Sequence, residues 1–96
     1  MAKATWNGTT IAESDRYILC EGNVYFPSKT VHDEYLRLGS RQYTCPWKGE
    51  AAYYDIVLGE RVNENAAWSY PEPRPAAAQI RGYVAFDLAK GVAVER

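Results

Sequence analysis

Five consecutive residues, Cys45-Pro46-Trp47-Lys48-Gly49, set a thiol, a rigid ring, an indole, an ammonium and a glycine side by side. A thiol does covalent chemistry as its thiolate, so it needs a base, a cation or a helix N-terminus close by. Lys48 lies three residues along and supplies a positive charge. The only histidine, His32, supplies a base if the fold carries it there. Cys45 is thus a candidate nucleophile or redox thiol. The competing reading is a small core residue at a strand end, since free cysteine is among the most buried residue types. Lys48-Gly49 offers a second chemistry, a charge for an anion beside a glycine that lets a ligand approach the backbone. A solvated lysine in a turn is the alternative there. The pair is not a P-loop, because the other glycines and the Ser or Thr of that pattern are missing.

Asp55 interrupts an apolar run from Ala51 to Leu58. A carboxylate in such a place is exposed, paired or functional. Arg81 is its expected partner, either in a structural ion pair at a strand edge or in an acid/base site that orients a ligand hydroxyl. The aromatic residues are a stronger signal. Tyr43, Trp47, Tyr53, Tyr54, Trp68, Tyr70, Tyr83 and Phe86 all fall from residue 43 onward. Tyr and Trp carry polar atoms that need partners, so a surplus of them suits the wall of a concave ligand site. A tyrosine-rich core with wet hydroxyl tips accounts for part of the same set.

Other chemistries are disfavoured. Structural zinc takes about four Cys or His ligands, and the chain holds two Cys and one His. Magnesium-dependent nucleotidyl transfer wants clustered carboxylates. Glu50 and Asp55 lie an odd number of residues apart on one strand and point to opposite faces, and there is no Asp-x-Asp pair. A net charge of −1 with scattered Lys and Arg gives no basic stripe for nucleic acid or an anionic membrane. No cofactor is indicated.

These groups must be positioned by one domain, 1–96, long enough for a real core without staples. Hydrophobic residues at 47% with thirteen aromatics exclude a disordered chain. Two cysteines are too few for a secreted disulfide scaffold. With no apolar leader and no stretch of about twenty apolar residues, the expectation is a cytoplasmic protein with free thiols.

Asn7-Gly8 between strand-formers predicts a hairpin, because both turn residues take positive φ. Strands are expected over Arg16 to Cys20 and Val24 to Phe26, joined at Gly22-Asn23. Ser28 is expected to cap one short helical turn to about Asp33. Gly39-Ser40 reads as a loop, Arg41 to Cys45 and Glu50 to Leu58 as strands, and Gly59-Glu60 as a turn. Asn63 to Asn65 reads as a loop before a strand to Tyr70. Pro71 to Pro75 is a stiff connector. Pro75 to Gly82 reads as a short helix, with proline first and glycine just past the end. Strands close the chain over Tyr83 to Phe86 and Val92 to Glu95. The fold class is mainly β: one compact antiparallel domain, with a folded-over or barrel-like and even β-tent-like sheet and one or two short helices.

Three longer stretches carry a resemblance: Cys45 to Tyr54, Ala66 to Pro73 (AAWSYPEP) and Ile80 to Phe86 (IRGYVAF). With Trp6-Asn7-Gly8 through Ser14 and Glu21 to Pro27, they resemble the family called domain of unknown function 427 over nearly the whole chain. The resemblance implies a compact, mostly β domain, often found alone in bacteria. The family is sometimes labelled nucleotidyltransferase-like, a label that the carboxylates above do not support.

The leading expectation is a binding module with Trp47, Lys48, Tyr53, Asp55, Trp68, Tyr70, Arg74 and Arg81 around one aromatic-lined pocket near Cys45 to Gly49. Its ligand is a small polar or anionic molecule, stacked on aromatic faces and fixed by Lys48 and Arg81. One alternative is a cysteine-dependent enzyme using Cys45 with Asp55, Lys48 or His32. The other is a protein-interaction domain whose exposed aromatics meet a partner or a second copy; a homo-oligomer is not otherwise indicated.

Overall fold

A computed structural model describes residues 1–96. Asn7 and Gly8 take φ of 49° and 76°, the left-handed pair that a two-residue hairpin turn demands. They join β1 (Ala2–Trp6) to β2 (Thr9–Ser14). A last short strand, β9 (Ala93–Glu95), pairs with the other edge of β1 to complete a three-stranded sheet. The same turn recurs one residue earlier than the sequence suggests. Glu21 and Gly22, not Gly22 and Asn23, take the positive φ values between β3 (Ile18–Cys20) and β4 (Asn23–Pro27).

The second sheet is built on β5 (Leu36–Cys45), β6 (Gly49–Leu58), β7 (Arg61–Ser69) and β8 (Tyr83–Phe86). Its order is β3-β4-β8-β7-β6-β5, all antiparallel. The two sheets stay open and fold over one another; no barrel closes.

Two expected loops are strand instead. Gly39-Ser40 lies inside β5 and Asn63 to Asn65 inside β7. Their polarity serves the pairing itself. The register slips between Leu38 and Gln42 and again between Tyr54 and Ile56, and side chains fill the gaps. Asp55 Oδ1 accepts the Asn65 N–H at 2.8 Å. Asn65 Oδ1 accepts the N–H groups of Ser40 and Arg41, both at 3.1 Å. A Cβ on Gly39 would collide with that same Asn65 oxygen, which is why the position is glycine.

The expected helices shrink to 3-10 turns. The segment after Ser28 splits into Ser28–Thr30 and Asp33–Tyr35, and Ser28 does not act as a side-chain cap. Between them Val31 bridges to Ala12 of β2 and is held in extended geometry. Pro75–Ile80 is likewise 3-10, broken at Ala77 where φ is −116°. A further turn, Leu88–Lys90, is capped by the Asp87 carboxylate, which accepts the Ala89 N–H.

Alternation along the strands of the large sheet feeds two cores, one on each face. Phe26, Ile56, Ala67, Val84 and Phe86 face the small sheet and pack with Ala2, Ala4, Ile11 and Ala12. Tyr25, Ala85 and the partly buried Trp68 face the other way, onto Cys20, Cys45 and Tyr70. The Pro75–Ile80 turn covers this second core with Ala77 and Ile80. A radius of gyration of 12.4 Å is that of one compact body of this length. No helix is long and apolar enough to cross a membrane.

Candidate functional site

β5 ends at Cys45, β6 begins at Gly49, and the two residues pair. The three residues between them form a tight turn on the second core. Gly49 has φ of 111°, and a Cβ there would press to 3.3 Å on the Glu72 carbonyl oxygen. The Arg74 N–H donates to the Lys48 carbonyl at 2.9 Å. The proline-rich connector therefore lies across the turn as a strap, and glycine is what lets it lie so close.

Inside the turn Cys45 is 5% exposed. Burial pushes its thiol up, but the backbone N–H groups of Lys48 and Trp47, with the Lys48 charge, outweigh that and hold it below the ordinary thiol value. Cys20, in the same core, has no such donors. Burial pushes it up, and the Lys48 charge only partly offsets this.

Lys48 is 6% exposed. Its Nζ donates to Oε1 of Glu21, while Trp47 Nε1 donates to Oε2 of the same carboxylate at 3.2 Å. The ammonium also stands 5.4 Å from the Trp47 ring centroid and 5.3 Å from that of Tyr70. Burial works against the charge on Lys48, but the Glu21 bond and the nearby groups hold its pKa above the ordinary value. Hydrogen bonds from Lys48 and Trp47 hold Glu21 below the usual carboxylate range. Burial pushes Tyr70 up to about 12, despite the Lys48 charge. Tyr25 is raised by burial too, although its hydroxyl oxygen accepts the Trp68 indole N–H at 3.1 Å.

The eight residues expected around one pocket are not all brought together. Trp47, Lys48 and Tyr70 meet at the Glu21 carboxylate. Trp68 packs behind them, edge-on to Tyr25 and 6.2 Å from Tyr53. Tyr53 is buried under the Arg41 guanidinium, 4.9 Å away. These rings fill space against one another and do not line an open cavity. Arg74 opens onto a cleft of about 410 Å³ with Thr44, Glu50 and Glu72. Arg81 opens onto another with Tyr54 and Ser69.

The expected Asp55–Arg81 pair is not formed. Arg37 takes that place, with Nε and Nη2 both 3.1 Å from Asp55 Oδ2, because β5 carries Arg37 directly opposite Asp55. His32 is tied to β2 through the Ile11 carbonyl and is exposed beside Glu34, so it gives Cys45 no base. The residue that sequence reasoning missed is Glu21. It lies 27 positions from Lys48, and its only local signal is the turn it shares with Gly22.

The model of the family described as domain of unknown function (DUF427) matches residues 1–95. The chain belongs to that family. No curated protein matches it.

Proposed function

We propose that this DUF427 member is a binding module for a small carboxylate-bearing molecule, held at the turn of Trp47 and Lys48. One observation carries the reading. Adjacent residues aim an ammonium and an indole N–H at the two oxygens of a single carboxylate. In the free protein that carboxylate is the side chain of Glu21, which is 49% exposed and sits on a two-residue turn. A ligand carboxylate replaces it and inherits both donors, with the Trp47 face, itself 38% exposed, for the ligand's body.

The test is an amide NMR titration with acetate and benzoate against three forms of the protein. Glu21→Gln removes the internal competitor and leaves the ammonium without its anion, so both probes should bind about tenfold tighter than to the native protein. Lys48→Met keeps the buried stem filled while deleting the charge, and should abolish binding. Equal affinity in all three forms would sink the proposal, as would silence of Glu21→Gln towards both probes. Glu21 would then be a clamp between two turns.

A second reading has its own observation: the Trp47 and Lys48 N–H groups that lower the Cys45 thiol. On it, Cys45 is a nucleophile at the same turn, and it must alkylate more readily than Cys20.

A further inference from the structure

We infer that the opposite face of the large sheet carries a separate site for an organic phosphate, in a groove between Lys29 and Arg81. Two clefts open there, of about 520 and 280 Å³. They share Ser28, Tyr54 and Val84, so they adjoin across these residues as two limbs of one surface groove. None of its lining residues comes from β1, β2 or β9. The groove is therefore the part of the inter-sheet face that the small sheet leaves uncovered.

Its charge is unbalanced. Lys29 and Arg37 line one limb and Arg81 the other, against a single lining carboxylate, Asp33. Arg37 is already neutralised by Asp55. The other ion pairs of the chain involve the N-terminus, Lys3, His32 and Lys48, so Lys29 and Arg81 have no carboxylate partner. The backbone brings the two segments that carry these cations together, because the Ser28 N–H donates to the Gly82 carbonyl at 2.8 Å and Pro27 pairs with Tyr83. Lys29 and Arg81 each lie one residue from that bond.

Between the limbs the floor is polar in one place and apolar in another. The hydroxyls of Tyr54 and Ser69 are bonded to each other at 3.0 Å, with Ser69 buried. Val84 and Leu36 supply the apolar wall. A guanidinium and an ammonium together match the several oxygens of a phosphate better than the two of a carboxylate. The volume leaves room for an organic group against Tyr54 and Val84. This is the chemistry of a phosphate monoester with a ring or short chain attached.

The site is independent of Lys48, which lies on the other face, and the test separates them. Amide spectra of the native protein are titrated with phenyl phosphate, inorganic phosphate and benzoate to about 10 mM, which reaches millimolar affinities. Saturating shifts at Lys29, Tyr54, Ser69 and Gly82 are expected with phenyl phosphate, weaker ones with inorganic phosphate, and none at these residues with benzoate. The double variant Lys29→Gln/Arg81→Gln should lose about tenfold or more in affinity. Both positions are exposed, so folding is not at risk. Lys48→Met should bind phenyl phosphate as the native protein does. Absence of saturating shifts in the groove, or undiminished binding by the double variant, overturns the inference. Equal response of the groove to benzoate also overturns it, because the site would then read charge and not phosphate.

Discussion

Cys45 and Cys20 share one small core and nearly equal exposure, 5% and 8%, yet their surroundings drive them in opposite directions. Access cannot separate them, so thiolate chemistry must. Alkylation by iodoacetamide, followed site by site by mass spectrometry across pH, should show the Cys45 rate rising with a midpoint below that of an ordinary thiol and the Cys20 rate with one above it. In Lys48→Met the Cys45 midpoint should move up, because one of the influences lowering it is the lysine's charge. Coincident midpoints for the two thiols would remove the case for Cys45 as a nucleophile. Part of this was legible in the chain, since a lysine three residues from a cysteine is visible as spacing. The backbone N–H groups that do most to lower the thiol are not, because any residue type supplies them. Glu21 was equally hidden, since only the fold brings it to Lys48.

At the scale of strands, the middle of the large sheet depends on a chain of side-chain bonds from Arg37 through Asp55 and Asn65 to the backbone of Ser40 and Arg41. Asp55 is the keystone: its side chain is 10% exposed, whereas that of Arg37 is 56% exposed. Asp55→Ala should lower the unfolding free energy by about 2 kcal/mol in urea, the usual cost of deleting a buried charged acceptor and orphaning its donor. Arg37→Ala should cost about 0.5 kcal/mol, as for an exposed ion-pair partner. If the two losses are equal, or reversed, the slips in register are not pinned by Asp55. The sequence shows Asp55 as an anomaly in an apolar strand, and a structural ion pair was one reading of it. It does not show the partner. Gly39-Ser40 and Asn63 to Asn65 look like loops for the same reason, since glycine and amides usually mark chain reversals. Here they are used across strands, 24 and 25 residues apart, where local pattern carries no information.

Across the whole molecule, the large sheet is shared by two cores and by two proposed sites. The mainly β class, the hairpin at Asn7-Gly8 and most strands follow from alternation and turn residues. The strand order does not, because β8 reaches its place between β4 and β7 only through contacts distant in sequence. That central position has a mechanical consequence. Neighbouring residues of β4, Tyr25 and Phe26, belong to different cores, as do Val84 and Ala85 of β8 and Ala67 and Trp68 of β7. Neither core can melt without unpairing strands that hold the other, so the protein should unfold in one step. Two single-tryptophan variants test this. Trp47→Phe/Trp68→Phe leaves Trp6, packed on the inter-sheet core, and Trp6→Phe/Trp47→Phe leaves Trp68 on the opposite face. In each variant the fluorescence transition in urea should coincide with the far-ultraviolet circular dichroism transition. Comparison within one variant matters, because Trp68→Phe also removes the bond to Tyr25 and shifts the midpoint of both signals together. A Trp68 signal that melts ahead of the dichroism would mean that the second core opens alone. The Lys48 turn would then be a locally mobile site on a stable sheet, and a ligand bound there would stabilise that face without protecting the other.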